Sequence, residues 1–188
     1  MISTEFIAGL ADIMGVERTE LATVDRALAK RGMRRISRGR FRPDITLEEG
    51  LSIVLGWAGT RNLTLAADEV ERLQKYALHV EEPTYEDNGV FEQIFGASQK
   101  KMAGETFQEL LVQAARNLGA GQYEPRDLWV SIEKDGDVDI SYRTGSRRVT
   151  LSFFYLGKIE FGSARQVQVK VRITGVVLKW IFDVTEGN

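Results

Sequence analysis

The sequence predicts an α+β fold, with helices in the first two thirds of the chain and an antiparallel β-sheet at the C-terminal end. Up to about residue 121, apolar residues recur three and four positions apart, which is the spacing of a helix face. From Leu128 onward, apolar and polar residues alternate, as they do in strands. An Asp-Gly pair at 135–136 favours a tight hairpin turn between two of these strands.

Two helices are predicted at the N-terminus. Thr4 is the expected cap of the first, because a threonine hydroxyl can accept a bond from the first helical turn. Gly15 ends this helix in a tight turn. A second helix is predicted over 17–31, with Gly32 at the position favoured for a left-handed C-cap. Its expected buried stripe is Leu21, Val24 and Leu28.

A basic hairpin and a third helix are predicted next. The segment Met33–Arg42 alternates partly and has Gly39 at its expected tip, which fits a short hairpin. Thr46 and Glu49 have the spacing of a capping box, in which each side chain bonds the other's backbone N–H. The box begins a helix that Gly59 closes.

The middle of the chain predicts two more helices and a connection. Thr64 is the expected cap of a helix that reaches about Val80, with Leu65, Val70, Leu73 and Ala77 inward. Residues 83–103 have weak periodicity and are predicted to form a connecting segment, with a short turn over 91–95. The clearest helical stripe follows, and it consists of Phe107, Leu110, Leu111, Ala114, Ala115 and Leu118.

The C-terminal region predicts four strands and a final helix. Strands over 128–133 and 138–142 form the hairpin, and 147–155 gives the third strand. Strict alternation over 166–173 predicts the fourth. The segment 176–184 fits either a helix or a strand, and we favour a short helix. The predicted regions are thus 1–60, 61–121 and 122–188.

The charge distribution is strongly uneven. The whole chain has 25 Lys+Arg and 27 Asp+Glu, a net charge of −2. Residues 26–42 carry eight basic side chains and no acidic one, so the rest of the chain has 17 basic against 27 acidic residues, a net of −10. An acidic body with one concentrated basic segment indicates a surface that meets polyanions, most often nucleic acid.

Three segments around this basic stretch resemble a winged helix-turn-helix DNA-binding domain: Leu10–Val16, Thr23–Leu28 and Arg31–Ile36. The resemblance implies a turn at Gly15-Val16, a recognition helix and a wing hairpin. Six residues, rather than the family's three, separate Gly15-Val16 from Thr23-Val24, which is about one extra helical turn.

The resemblance also implies which residues contact DNA. The side chains expected at the major groove are Arg18, Thr19, Thr23 and Arg26. Those expected at phosphates or the minor groove are Lys30, Arg34, Arg35, Arg38, Arg40 and Arg42, and Arg31 is included in the DNA-binding set. An alternative leaves this basic face bound to acidic residues of the same chain, such as Glu81, Glu82, Glu86 and Asp87.

The order of a DNA-binding head, a helical middle and a C-terminal β region is similar to that of the small subunit of a phage terminase. That resemblance implies a non-enzymatic homo-oligomer that recognises double-stranded viral DNA for genome packaging and hands it to an ATP-cleaving large subunit. It also implies action in the cytoplasm of a bacterium or of a phage-infected cell. The alternatives are an oligomeric transcriptional regulator, and a virion structural or protein-interaction protein.

The composition argues against most catalytic and metal chemistry. The chain has no cysteine and one histidine, His79, so we expect neither thiolate catalysis nor a multi-histidine metal site. It has no Gly-Lys-Ser/Thr phosphate-binding loop. Asp135, Asp137 and Asp139 are expected to be turn acids rather than metal ligands. No apolar run is long enough to span a bilayer, and the N-terminus lacks the pattern of a signal peptide. We therefore expect no enzyme, no cofactor, no metal and no membrane partner.

Overall fold

A computed structural model describes residues 1–36, 43–78, 89–96, 105–134, 137–155 and 169–187. In these ranges the fold is α+β, with seven α-helices and one antiparallel sheet, which confirms the predicted class. No helix in the same ranges combines the length and apolarity that crossing a bilayer requires.

The N-terminal helices are α1 (Ser3–Met14), α2 (Arg18–Lys30) and α3 (Leu47–Gly59). Gly15 ends α1 with φ +67°, which is the left-handed conformation that glycine adopts without strain. The prediction that Thr4 caps α1 is wrong. The helix begins at Ser3, two residues before the start that a Thr4 cap implies, and its cap position is Ile2, whose backbone is held in a β-bridge with Asp44. The predicted capping box of Thr46 and Glu49 is confirmed.

The helix predicted from Thr64 to about Val80 is present but shorter, and its predicted cap, start and end are wrong. The Asn62 side chain accepts a hydrogen bond from the Thr64 N–H and begins a short 3₁₀ turn, and the helix α4 follows at Ala66–Leu73. The next residues form strand β1 (Tyr76–Leu78), because pairing with a neighbouring strand outweighs local helical preference. Leu65 is half exposed rather than inward.

The helical middle continues with α5 (Val90–Phe95) and α6 (Phe107–Gly119). All six residues of the predicted α6 stripe are buried. Thr106 and Glu109 form a second capping box, which fixes where α6 begins. Phe107 packs edge-on against Phe153 of the sheet, with ring centroids 5.2 Å apart.

The sheet contains β1, β2 (Leu128–Glu133), β3 (Val138–Thr144), β4 (Arg147–Tyr155) and β5 (Lys170–Thr174), in the order β1-β4-β3-β2-β5. The predicted antiparallel pairing of the two hairpin strands is confirmed, with Val130 opposite Ile140, and the Asp-Gly turn at 135–136 lies outside the described residues. Positions 166–168 of the predicted fourth strand lie outside the described residues. The final segment is helix α7 (Gly175–Thr185), as favoured by the sequence.

Helix α7 packs against three other helices through positions that have no side chain. A Cβ atom on Gly9 would lie 2.6 Å from the Trp180 ring, and one on Gly50 would lie 2.8 Å from Ile181. One on Gly119 would overlap the Phe182 ring. Three consecutive α7 residues thus face glycines of α1, α3 and α6. These close approaches let α7 sit deep among the other helices.

An ion-pair network links the same helices at the surface. Arg116 of α6 contacts Glu48 of α3 at 3.1 Å and Glu186, just beyond α7, at 3.0 Å. The hydrogen bond from Arg116 lowers the pKa of Glu186. Buried side chains of all three predicted regions belong to one apolar cluster. The boundaries at residues 60 and 121 stay predictions.

We expect Gly119→Ala to destabilise the fold by about 1–3 kcal/mol, because the added methyl group overpacks the site against Phe182. Thermal and denaturant unfolding measure this loss. Phe182→Ala makes room for the methyl group, so Gly119→Ala should cost much less in that background. An equal cost of Gly119→Ala in both backgrounds would show that α7 does not pack on α6 in this way.

Candidate nucleic-acid interface

Helices α1 and α2 are joined by a three-residue turn at Gly15, Val16 and Glu17. Leu21, Val24 and Leu28 bury one face of α2 against the neighbouring helices. Two helices joined by a short glycine-containing turn have the connectivity of a helical hairpin. The opposite face of α2 is therefore the part of this unit that is available to a partner.

The outer face of α2 is formed by Thr19, Thr23, Arg26 and Lys30. They follow one another at intervals of four, three and four positions, which places them on one side of a helix. Arg26 donates to the Thr23 hydroxyl at 3.2 Å, and neither Arg26 nor Lys30 forms an ion pair within the described parts of the chain. Arg18 is exposed at the start of α2, where its guanidinium lies 3.5 Å from the Thr4 carbonyl oxygen.

Both acidic residues of α2 are turned toward the protein. Glu20 accepts a hydrogen bond of 2.8 Å from the indole Nε1 of Trp57. Asp25 forms an ion pair with Arg34 and accepts a bond of 3.3 Å from the Ser3 hydroxyl. The outer face of α2 consequently presents hydroxyl groups and two cations without a carboxylate. An anion approaching this face meets no opposing charge from α2 itself.

Two of the predicted DNA contacts beyond α2 are neutralised within the fold. Arg31 pairs with Asp68 at 2.7 Å and with Glu71 at 3.1 Å, both on α4. The hydrogen bond from Arg31 lowers the pKa of Glu71. The Arg34 side chain is only 9% exposed and pairs with Asp25. Arg34 is thus a buried link between α2 and the segment that follows it.

Arg35 fixes the base of the basic segment. Its backbone N–H and its guanidinium donate to Glu49 at 2.8 and 3.2 Å. The same guanidinium donates to the Asp44 carbonyl oxygen at 2.7 Å. Asp44 is in turn paired with the Met1 ammonium group at 3.0 Å. The two ends of the segment between Arg35 and Asp44 are therefore joined and tied to the N-terminus.

Glu49 serves two partners at once. Burial raises its pKa, but hydrogen bonds from the Arg35 side chain and backbone and from the Thr46 N–H outweigh burial, and the pKa lies below its usual 4.5. One carboxylate therefore begins α3 and anchors Arg35. The sequence signals the first role through the capping box and gives no signal for the second.

The rest of the predicted wing is only partly described. Met33–Ile36 forms no strand, and Arg38, Arg40 and Arg42 lie outside the described residues, as does the tip at Gly39. The acids Glu81, Glu82, Glu86 and Asp87, named as alternative partners, also lie outside them. Arg31, Arg34 and Arg35 are instead paired with other acidic residues, on α2, α3 and α4. Sequence reasoning missed these acids because most of them are distant along the chain.

Comparison with known proteins adds no relative. No protein-family model matches the chain, and no curated protein or solved structure matches it either. Within the described ranges, no group of three or more His, Cys, Asp or Glu side chains is arranged to hold a metal ion.

We expect Glu49→Gln to lower stability at pH 7 by about 1 kcal/mol, because a charge-assisted bond to a half-exposed arginine is lost. Glutamine keeps an acceptor for the capping box. Because the pKa of Glu49 is lowered in the fold, its contribution is full above pH 4.5 and is lost as the pH falls through the folded value. The difference in the free energy of unfolding between wild type and variant should therefore become smaller at acid pH. Urea unfolding at several pH values measures this difference.

Glu109→Gln is the matched control for this experiment. Glu109 completes the other capping box, is exposed, and has no arginine among the groups that lower its pKa. We expect a smaller loss at pH 7 for this variant. Equal losses and equal pH dependence in the two variants would mean that the Arg35 contact adds nothing to the cap.

Proposed function

We propose that the protein binds double-stranded DNA with the outer face of α2 in the major groove. The observation that carries this proposal is a helix face with two cations, two hydroxyl groups and no carboxylate. The major groove of B-DNA is wide enough to admit an α-helix. Arginine and lysine bind guanine edges or phosphates there, and threonine hydroxyls bind bases or phosphates.

The proposal separates the basic residues into two groups. Arg26 and Lys30, together with Arg18, Thr19 and Thr23, are the DNA contacts from α2. Arg31, Arg34 and Arg35 are bound to carboxylates and act as positioning residues that hold residues 31–36 against α2, α3 and α4. Arg38, Arg40 and Arg42 follow in sequence between two anchored positions, Arg35 and Asp44, and are proposed as phosphate or minor-groove contacts.

We expect Arg26→Ala with Lys30→Ala to weaken duplex binding and to reduce the slope of log affinity against log salt by about two, because each lost phosphate contact removes about 0.9. Fluorescence anisotropy with a labelled duplex at several salt concentrations measures this. The matched control is Lys75→Ala with Arg126→Ala, which removes the same charge from exposed positions outside α2.

Both double variants should keep the wild-type unfolding temperature, because all four side chains are exposed. An unchanged salt slope in the α2 variant would contradict the proposal. So would an equal loss in the control, because binding would then follow overall charge rather than this helix face.

The narrower proposal is that the protein is the DNA-recognition subunit of phage genome packaging, acting as a homo-oligomer beside a large terminase subunit. It is supported by the order of a helical head, a helical middle and a C-terminal sheet. A transcriptional regulator would use the same helix face.

Oligomeric state distinguishes these two roles. We expect light scattering of the purified full-length protein to give the mass of a closed ring of about eight or more protomers, since packaging recognition subunits work as rings. A dimer would favour the regulator, because two-fold symmetric DNA sites pair with dimers. A monomer at all concentrations would contradict both oligomeric roles.

A further inference from the structure

The two faces of the sheet differ in chemistry. Alternate residues of each strand point to opposite faces. The face that packs into the core carries apolar side chains, including Val130, Ile140 and Phe153. The opposite face carries hydroxyl and charged side chains and one large apolar side chain that the structure describes, Trp129. Trp129 is thus a large aromatic side chain among polar ones, on the face of the sheet that does not pack into the core.

The Trp129 ring lies between two arginines from different strands. The guanidinium carbon of Arg148 on β4 is 4.9 Å from the ring centroid, and that of Arg172 on β5 is 5.4 Å from it. Trp129 is opposite Ser141 and Thr174 in the register of the sheet. These small neighbours leave the indole and the guanidinium groups as the largest features at this place. We call Trp129, Arg148 and Arg172 the Trp129 cluster.

The Trp129 cluster carries positive charge that the described residues do not neutralise. Asp139 of the same face is engaged by Lys170 at 2.6 Å and by Ser152 at 2.9 Å. Neither Arg148 nor Arg172 forms an ion pair in the described ranges, and the only polar bond Arg148 makes there is to the Ser141 hydroxyl at 3.3 Å. The buried indole Nε1 of Trp129 has no acceptor among these residues either. The cluster thus offers an aromatic ring and two cations.

We infer that the Trp129 cluster binds single-stranded nucleic acid. A base would stack on the indole or on a guanidinium plane, and the adjoining phosphates would bind Arg148 and Arg172. Aromatic rings on an open sheet face between cations are a recurrent solution for unpaired strands, because every base has a face that stacks. This site is separate from the outer face of α2 and does not depend on the function proposed for it.

Charge and shape favour this occupant over two others. A duplex keeps the faces of its bases stacked inside the helix, so it cannot use the indole ring. A second copy of the chain would have to cover two arginines that have no carboxylate partner in the described ranges, at a desolvation cost. A single-stranded polyanion supplies both the phosphate charge and the stacking surface. Single-stranded DNA and RNA share this chemistry.

The test uses the full-length protein and fluorescein-labelled oligonucleotides of about 12 nucleotides, within the usual site size. Oligo-dT, oligo-U and a duplex of equal length are titrated and followed by anisotropy. We expect Trp129→Ala to weaken binding of at least one single strand roughly tenfold to a hundredfold and to leave the duplex unchanged. Trp129→Phe should retain part of the affinity. The relative affinity of oligo-dT and oligo-U tells which strand is preferred.

The arginines are tested with a charge-matched pair. Arg148→Ala with Arg172→Ala should reduce the single-strand salt slope by about 1.4, since each contact to a single strand contributes about 0.7. Lys75→Ala with Arg126→Ala removes the same charge from exposed positions outside the cluster and should leave single-strand binding unchanged. Unfolding temperatures of all variants confirm that the fold is kept.

Three results would overturn the inference. The first is that Trp129→Ala and the Arg148→Ala, Arg172→Ala double variant both bind single strands with wild-type affinity. Another is loss of single-strand binding in the α2 variant alone, which would place that binding on α2. The third is a change of oligomeric mass in Trp129→Ala with single-strand binding intact, which would make the cluster an interface between copies. Failure of duplex binding in the α2 variant tests the proposed function and leaves this inference unaffected.

Discussion

The close packing of α7 among α1, α3 and α6 is the constraint on which the rest of the fold depends. Trp180, Ile181 and Phe182 occupy space that any side chain at Gly9, Gly50 or Gly119 would fill. Because the last helix is seated against the first and third, the two ends of the chain share one core. The β-region is held to the same core, since β5 leads directly into α7. The position of α2 relative to the sheet therefore follows from this packing.

Charge pairing then decides which basic residues remain available. Residues 26–42 contain eight cations in sequence, but Arg31, Arg34 and Arg35 are bound to carboxylates of α2, α3 and α4. These pairs hold the start of the basic segment, and they leave Arg26 and Lys30 on the outer face of α2. A count of charges thus overstates the positive charge that is available to a partner, because several of the cations are already paired within the fold. In the Trp129 cluster, by contrast, neither arginine forms an ion pair within the described ranges, so both charges remain available.

Local patterns predicted much of the fold. Features that are specified by neighbours in sequence were predicted correctly. They are the α6 stripe, both ends of α2, the capping box of α3 and the pairing of β2 with β3. The helix predicted beyond Leu73 was wrong, since β1 forms by pairing with β4 far along the chain. The partners of Arg31 and Arg35, and the meeting of Trp129 with Arg148 and Arg172, were not predicted. Such contacts depend on how elements pack, which spacing along the chain does not encode.

The central claim is that the outer face of α2 lies against duplex DNA, and the absence of cysteine allows a direct test. Thr23→Cys places one thiol on this face, and Gln93→Cys places one on the exposed side of α5 as a control. Each thiol is labelled with an iron chelate that generates hydroxyl radicals, and cleavage of an end-labelled duplex is mapped. We predict localised cleavage from position 23 and none from position 93. Cleavage from position 93 alone, or equal cleavage from both, would contradict the claim.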